Sequence, residues 1–189
     1  IPPISPLTKE ISKNEKFLGN IGEYIIFENN DFIVIDKPAG LSVHGGTNVK
    51  YDIISSLKKL KNNADIAPVN RLDRNTSGCM LISKNYHSAK HLGNCFKTNQ
   101  VKKSYKALLL GKLAESETKV DSSLKINKKK NDGRVSVDDS GKYALSTFYV
   151  EKYISNYTLV DVSIKTGRTH QIRVHSSSIK HPICGDTKY

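Results

Sequence analysis

Between residues 157 and 165, Thr158, Val160, Val162 and Ile164 alternate with more polar neighbours. A period of two puts those four side chains on one side of an extended chain, which no helix does. Such a strand needs a partner for its backbone groups and a cover for its apolar face. The segment therefore commits this part of the chain to a sheet with a core on one side. Other apolar runs are equally short. Residues 24–27 and 32–35 flank Glu28-Asn29-Asn30-Asp31 and read as two strands about a turn, the second closed by Lys37-Pro38-Ala39-Gly40. Residues 79–83, 104–110 and 147–152 read as further strands, and Gly111 ends the second of these.

Three segments carry helical spacing instead. Residues 51–61 repeat Ile53, Ile54, Leu57 and Leu60 among lysines, and residues 87–97 turn Ala89, Leu92 and Phe96 inward. A third helix is expected to start near Thr169, capped by that residue, and to end before Pro182. Residues 1–20 carry Pro2, Pro3 and Pro6 and read as a linker or an added strand, whereas 115–142, with Lys128-Lys129-Lys130, reads as a solvated polar loop. No internal repeat is present. The expected class is α+β, a mostly antiparallel mixed β-sheet core flanked by a few helices.

The length of 189 residues suffices for one substantial domain. Thirty Lys and Arg against eighteen Asp and Glu leave a formal charge of +12, which attracts polyanions. No apolar run is long enough to span a bilayer. Cys79, Cys95 and Cys184 are odd in number and lack a CxxC pair, so neither a zinc site nor a disulfide is expected. They read as small buried hydrophobes in a reducing cytoplasm. Tryptophan is absent, so any base stacking falls to Tyr, Phe, His or Arg.

Two clusters are dense enough to carry chemistry. Arg71-Leu72-Asp73-Arg74-Asn75-Thr76-Ser77-Gly78 lies in a loop before a strand. A nearby cation keeps a carboxylate ionised, fit to act as a nucleophile or counter-charge; equally, Asp and Asn there would serve a turn by bonding their own backbone. The second cluster runs from Thr166 through Gly167, Arg168, Thr169, His170, Gln171, Ile172 and Arg173 to His175. On a helix His170 and Arg173 share one face and Gln171 and His175 another. The arginines suit phosphate or a structural carboxylate, and no spacing supports a metal. In the basic strand around Lys103-Ser104-Tyr105-Lys106, Tyr105 is either a stacking platform or a core residue.

Taken together, these segments resemble the RluA family of pseudouridine synthases from about residue 24 onward. "DKPAGLSVHGG" (36–46), "NRLDRNTSG" (70–78), "KKSYKALLLGK" (102–112) and "TGRTHQIRVHSSSIKHPICGD" (166–186) are similar to four family motifs in the family's order. "GRVSV" and "GKYALSTF" resemble most closely its ribosomal large-subunit synthase C branch. One departure is Asn70, where many members carry His.

The resemblance implies the pseudouridine synthase fold and isomerisation of uridine to pseudouridine in RNA, with 23S ribosomal RNA as partner. It implies a cytoplasmic monomer with no metal, no cofactor and no membrane. It also implies residue roles. Asp73 is the essential aspartate, acting as a nucleophile or through a glycal-like intermediate. Tyr105 packs on the uracil, and Arg173 pairs with the aspartate. Ile183 lies under the base, and Arg71 fills the gap left by a flipped nucleotide. Arg168, Thr169, His170 and Gln171 shape the site or hold RNA. By the same resemblance, residues 1–20 are expected to be the tail of an S4-like RNA-binding domain, and 21–189 a catalytic domain continuing past Tyr189. The alternatives are a non-catalytic basic RNA-binding domain, a nucleosidase-type hydrolase, a basic ribosome-associated structural protein, or transfer RNA as substrate. A nucleosidase would need a second carboxylate that no motif offers.

Overall fold

The computed structural model describes residues 19–45, 52–127 and 133–189. The chain divides into two compact units, Ile1–Thr98 and Asn99–Tyr189. The expected N-terminal extension lies outside the described residues except for Gly19 and Asn20, as do Tyr51 and Lys128-Lys129-Lys130.

In the first unit a 3-10 turn, Ile21–Tyr24, leads into β1 (Ile25–Glu28) and β2 (Phe32–Lys37). Asn29 closes the hairpin, its Oδ1 accepting from the amides of Asp31 and Phe32 at 2.9 and 2.8 Å. With β3 (Ala67–Pro68) and β4 (Gly78–Ser83) they form an antiparallel sheet in the order β1-β2-β4-β3. Ile33, Ile35, Met80 and Ile82 fill one face, against which α1 (Ile53–Lys61) packs Ile53, Ile54 and Leu57. Asp52 caps α1 by accepting from the Ser55 amide at 2.8 Å, and Asn85 caps α2 (Tyr86–Lys97) through the Ser88 amide. Two inward assignments are corrected. Leu60 is 51% exposed, one position past the buried stripe. On α2 only Ser88 is fully buried, and Ala89, Leu92 and Phe96 are half-buried. The β2–β4 register sets Lys37 opposite Gly78, which lays the 38–40 loop beside the 70–77 loop.

In the second unit β5 (Ser104–Leu110), β6 (Glu117–Asp121), β9 (Leu145–Ile154) and β10 (Tyr157–Ile164) form an antiparallel sheet in the order β5-β10-β9-β6. β7 (Leu124–Ile126) and β8 (Val135–Val137) form a separate hairpin, and α3 spans Gln171–Ser178. The alternation on β10 does what its period demands: Thr158, Val160, Val162 and Ile164 are all buried, with Ala107, Leu109, Val120 and Phe148 in the same core. The Thr158 hydroxyl is satisfied there, donating to the Gly111 carbonyl at 2.7 Å and accepting from the Leu113 amide. After α3 the chain returns along β5. The Leu110 amide donates to the Pro182 carbonyl and the Cys184 amide to the Leu108 carbonyl.

The polar stretch 115–142, expected to be a loop, instead contains β6, β7 and β8. Each of these strands buries a single apolar residue, Val120, Leu124 or Val135, so no periodicity rises above the polar background. Gly141 is required by close approach: a Cβ there would lie 2.5 Å from the Leu124 carbonyl carbon. The cysteines are also corrected. Cys79 and Cys184 are exposed and Cys95 is half-buried. Cys79 occupies an outward position of β4, before buried Met80. Among the described residues no helix is long and apolar enough to cross a membrane. Helices beside antiparallel sheets place the protein in the expected α+β class.

Candidate active site

In the first unit the side chain that organises the Asp73 loop is Lys37. It is fully buried at the end of β2, and its Nζ donates to the carbonyls of Pro38, Arg74 and Thr76 at 3.0, 2.9 and 2.8 Å. An ammonium has three N–H donors, and here all three are used. Burial pushes its pKa down to about 8, against the opposing pull of the Asp73 charge. The Gly40 amide donates to the Arg74 carbonyl at 2.8 Å, and Arg74 Nε returns to the Gly40 carbonyl at 2.9 Å. Asn70 Oδ1 accepts from the Leu81 amide at 2.7 Å, which ties the start of the loop to β4. The Asp73 carbonyl accepts from the Thr76 amide in a turn. Asp73 is thus held half-buried on a loop fixed at both ends, while Arg71 and Arg74 are exposed. In the sequence Lys37 reads only as the residue that closes a strand; its burial depends on the β2–β4 register.

In the second unit Tyr105 faces Val162 across the β5–β10 ladder and lies half-buried against the core of Ala107, Leu109 and Val162. Ile183 packs on the same cluster and bridges to Leu109. On α3, Arg173 grips Asp186 in a two-point fork, Nε to Oδ2 at 2.7 Å and Nη2 to Oδ1 at 2.9 Å. Asp186 Oδ1 also accepts from the amides of Lys188 and Tyr189. The Arg173 guanidinium, the largest cause, holds the Asp186 pKa at about 2 against the upward pull of burial.

Tyr189 ties this corner together. Its ring centre lies 5.0 Å from the Arg173 guanidinium carbon. Its hydroxyl accepts from the Val135 amide at 3.0 Å and meets His170 Nδ1 at 2.7 Å. The expected sharing of a face by His170 and Arg173 therefore appears as contact with one tyrosine. Neither Asp186 nor Tyr189 stands out in the sequence; Asp186 ends the 166–186 motif, but nothing in local spacing pairs it with Arg173.

The loop into α3 departs from expectation. Thr169 is exposed and does not cap the helix. The N-cap is His170, at φ 53° in the left-handed region, a conformation that costs about 1 kcal/mol or more in a non-glycine residue. Gln171 closes the loop instead. Its Oε1 accepts from Thr166 Oγ1 and the Arg168 amide, and its Nε2 donates to the Leu145 carbonyl and Ser146 Oγ. His175 meets the same Ser146 hydroxyl at 2.9 Å through Nδ1 and the Ser122 carbonyl at 3.0 Å through Nε2. A carbonyl only accepts, so Nε2 carries the proton and Nδ1 accepts from Ser146. Burial, the largest cause, pushes the His175 pKa down, which keeps the ring neutral. Arg168 is exposed, its Nε fixed by the Tyr143 carbonyl at 2.9 Å. Among the described residues no group of three His, Cys, Asp or Glu is placed to hold a metal.

These motifs belong to a known sequence family. The sequence model for RNA pseudouridylate synthases matches residues 31–178, taking in the Asp73 loop, β5 and α3. The chain belongs to the RNA pseudouridylate synthase family. Within this family it is 35% identical to the ribosomal large subunit pseudouridine synthase C of Buchnera aphidicola subsp. Baizongia pistaciae, over 100% of this chain and 62% of that protein. It is 37% identical to the synthase C of Haemophilus influenzae, over 100% of this chain and 60% of that protein. The chain therefore spans about three fifths of the length of these relatives. Among solved pseudouridylate synthases it is similar to human RNA pseudouridylate synthase domain containing 4, with a TM-score of 0.77 and 26% identity over 95% of this chain and 73% of that one. It is also similar to human RNA pseudouridylate synthase domain containing 1, with a TM-score of 0.75 and 26% identity over 87% and 68%.

Proposed function

We propose that this protein isomerises specific uridines to pseudouridine in RNA, its substrate being large-subunit (23S) ribosomal RNA, with Asp73, Tyr105 and Arg173 as its reactive residues. The observation that carries this reading is that one family match runs unbroken through all three residues and both units. It also supports treating residues 21–189 as one catalytic domain. The relatives named as acting on the large ribosomal subunit support the choice of RNA. The reaction breaks the C–N glycosidic bond, turns the uracil and joins it to the ribose through carbon. The proton displaced from the ring carbon leaves, and the former glycosidic nitrogen gains one, so atoms balance without an oxidant. The reacting nitrogen is unreachable in a base stack, so the uridine must be flipped out.

In this reading Asp73 supplies the carboxylate, either as nucleophile or as counter-charge to an electron-poor ribose. Its clamped loop suits either role, because a fixed charge needs no reorganisation during reaction. Tyr105 and Ile183, on one apolar cluster, offer a surface for the uracil. Arg173, already oriented by Asp186, supplies a fixed positive charge. Exposed Arg71 contacts the RNA from the Asp73 loop, as do exposed Arg168 and Thr169 from the loop that Gln171 and His170 hold. We propose a cytoplasmic monomer, which light scattering of the purified protein would check. The decisive experiment is tritium release from RNA labelled at uracil C5. The full-length protein should release tritium and form pseudouridine at defined positions of unmodified 23S RNA. Its absence from such RNA, or activity on transfer RNA alone, would overturn the corresponding part of the assignment.

A further inference from the structure

In the second unit a cleft of about 880 Å3 opens between the β7–β8 hairpin, residues 138–142 and the loop leading into α3. Its floor is apolar: Leu124 and Val135 are buried beneath it, and Ile126, 49% exposed, lines it. Its rim is basic, with Lys125, Lys142 and Arg168. Lys125 is committed to Asp138 at 3.4 Å and to Ser140 Oγ at 2.7 Å. The backbone of Lys142 is locked to Leu124 by two hydrogen bonds of 2.8 and 2.9 Å, yet its ammonium has no partner among the described residues. Arg168 spends its Nε on the Tyr143 carbonyl, which orients the rest of the guanidinium. One carboxylate against three cations leaves the rim with a positive surplus.

We propose that this cleft receives a nucleotide of the substrate RNA other than the uridine being isomerised, its base against Ile126 and its phosphate at Lys142 and Arg168. The inference rests on the RNA-modifying function proposed above. A cationic groove holds single-stranded nucleic acid by its phosphates, an apolar lining suits the face of a base, and the volume lies within the range of small-molecule sites, about 300–1,000 Å3. The surface offered to the target uracil, Tyr105 and Ile183, lies at the β5 edge of the sheet. Leu124 and Val135 belong instead to a second apolar cluster, with Ala144, Val174 and Tyr189. The two surfaces thus rest on different apolar clusters. Arg168 belongs both to the cleft and to the loop of the proposed site, so the cleft would fix the register of the RNA.

The test uses the full-length enzyme with unmodified 23S RNA transcribed in vitro, comparing wild type with Lys142→Glu, Ile126→Ser and a control reversal, Lys152→Glu, at the far end of β9. Lys142, Ile126 and Lys152 are exposed, and melting temperatures would confirm that folding is intact. Lys142→Glu should weaken RNA binding about tenfold and lower the salt slope by about one phosphate contact. Ile126→Ser should weaken binding a few-fold with the slope unchanged, because it removes only apolar contact. Turnover at saturating RNA should persist in both. Equal effects of Lys142→Glu and Lys152→Glu, or unchanged binding by Ile126→Ser, would overturn the cleft proposal. Loss of pseudouridine formation in the wild type, with both binding effects present, would instead overturn the activity and leave the cleft standing.

Discussion

At Asp73 the relevant property is charge held in a fixed frame. Asp73→Asn keeps the size of the side chain and removes the carboxylate. Tritium release should fall below detection, because an amide neither attacks a sugar carbon nor balances a developing cation. Arg173 keeps Asp186 as a charge partner, so the substitution leaves it compensated and the melting temperature should stay near wild type. A folded Asp73→Asn protein that still forms pseudouridine would remove this residue from the mechanism. Lys37 gives a second test. The unfolded chain keeps a lysine proton up to about pH 10.5, whereas the folded protein releases it near 8. Between those values the unfolded state binds more protons, so stability should rise with pH relative to Lys37→Met. That variant should itself be less stable by about 2 kcal/mol, since carbonyls left without a donor cost about 1–3 kcal/mol each while removal of the buried charge offsets part of this. Urea unfolding of both proteins from about pH 7 to 10.5 would measure the difference in slope; parallel slopes would show that burial does not lower the Lys37 pKa.

Helix α3 is short, eight residues, and lacks a side-chain cap, so its position depends on what it packs against. Two side chains one turn apart anchor it. Gln171 and His175 converge on Ser146 of β9, and His175 reaches Ser122 beyond β6. Protonating His175 would turn Nδ1 from acceptor to donor against the proton it receives from Ser146. The folded pKa lies below the ordinary 6.5, so the unfolded chain takes up the proton first as pH falls. Stability should therefore drop as pH falls below about 6.5, and this component should be missing from His175→Gln. Urea midpoints of the two proteins at about pH 5, 6 and 7.5 would show it, and identical pH dependence would mean that burial does not lower the His175 pKa. The opposite face of α3 carries Arg173, so loosening the anchor should also reduce turnover at saturating RNA.

At the scale of the whole chain, +12 is the dominant electrostatic fact. Exposed Arg71, Arg74 and Arg168 contribute, as do Lys102, Lys142 and Lys180. Binding to RNA through such groups releases counterions, and each phosphate contact adds about 0.7–0.9 to the slope of log affinity against log salt. A filter-binding titration from about 50 to 200 mM salt should yield a slope equivalent to several contacts. A flat titration would mean that the charge serves something other than RNA.

The sequence by itself determined the class of fold and the candidate chemistry, because both depend on local order. The alternation from Thr158 to Ile164 dictated a half-buried strand, and four motifs in order carried the family resemblance, including Asp73, Tyr105 and Arg173. Other features depended on contacts between distant residues. Lys37 meets Arg74 and Thr76, 37 and 39 positions away, only because β2 and β4 pair in one register. Strands β6, β7 and β8 each bury one apolar residue, too few for a periodic signal. Thr169 looked like a cap because capping is read from residue type, but Gln171, with two hydrogen bonds to its own loop and two to β9, fixes the helix start and the cap falls one residue later, at His170. The grip of Asp186 on Arg173 and the brace at Tyr189 form where the chain returns past α3, and nothing in the spacing of those residues encodes that return.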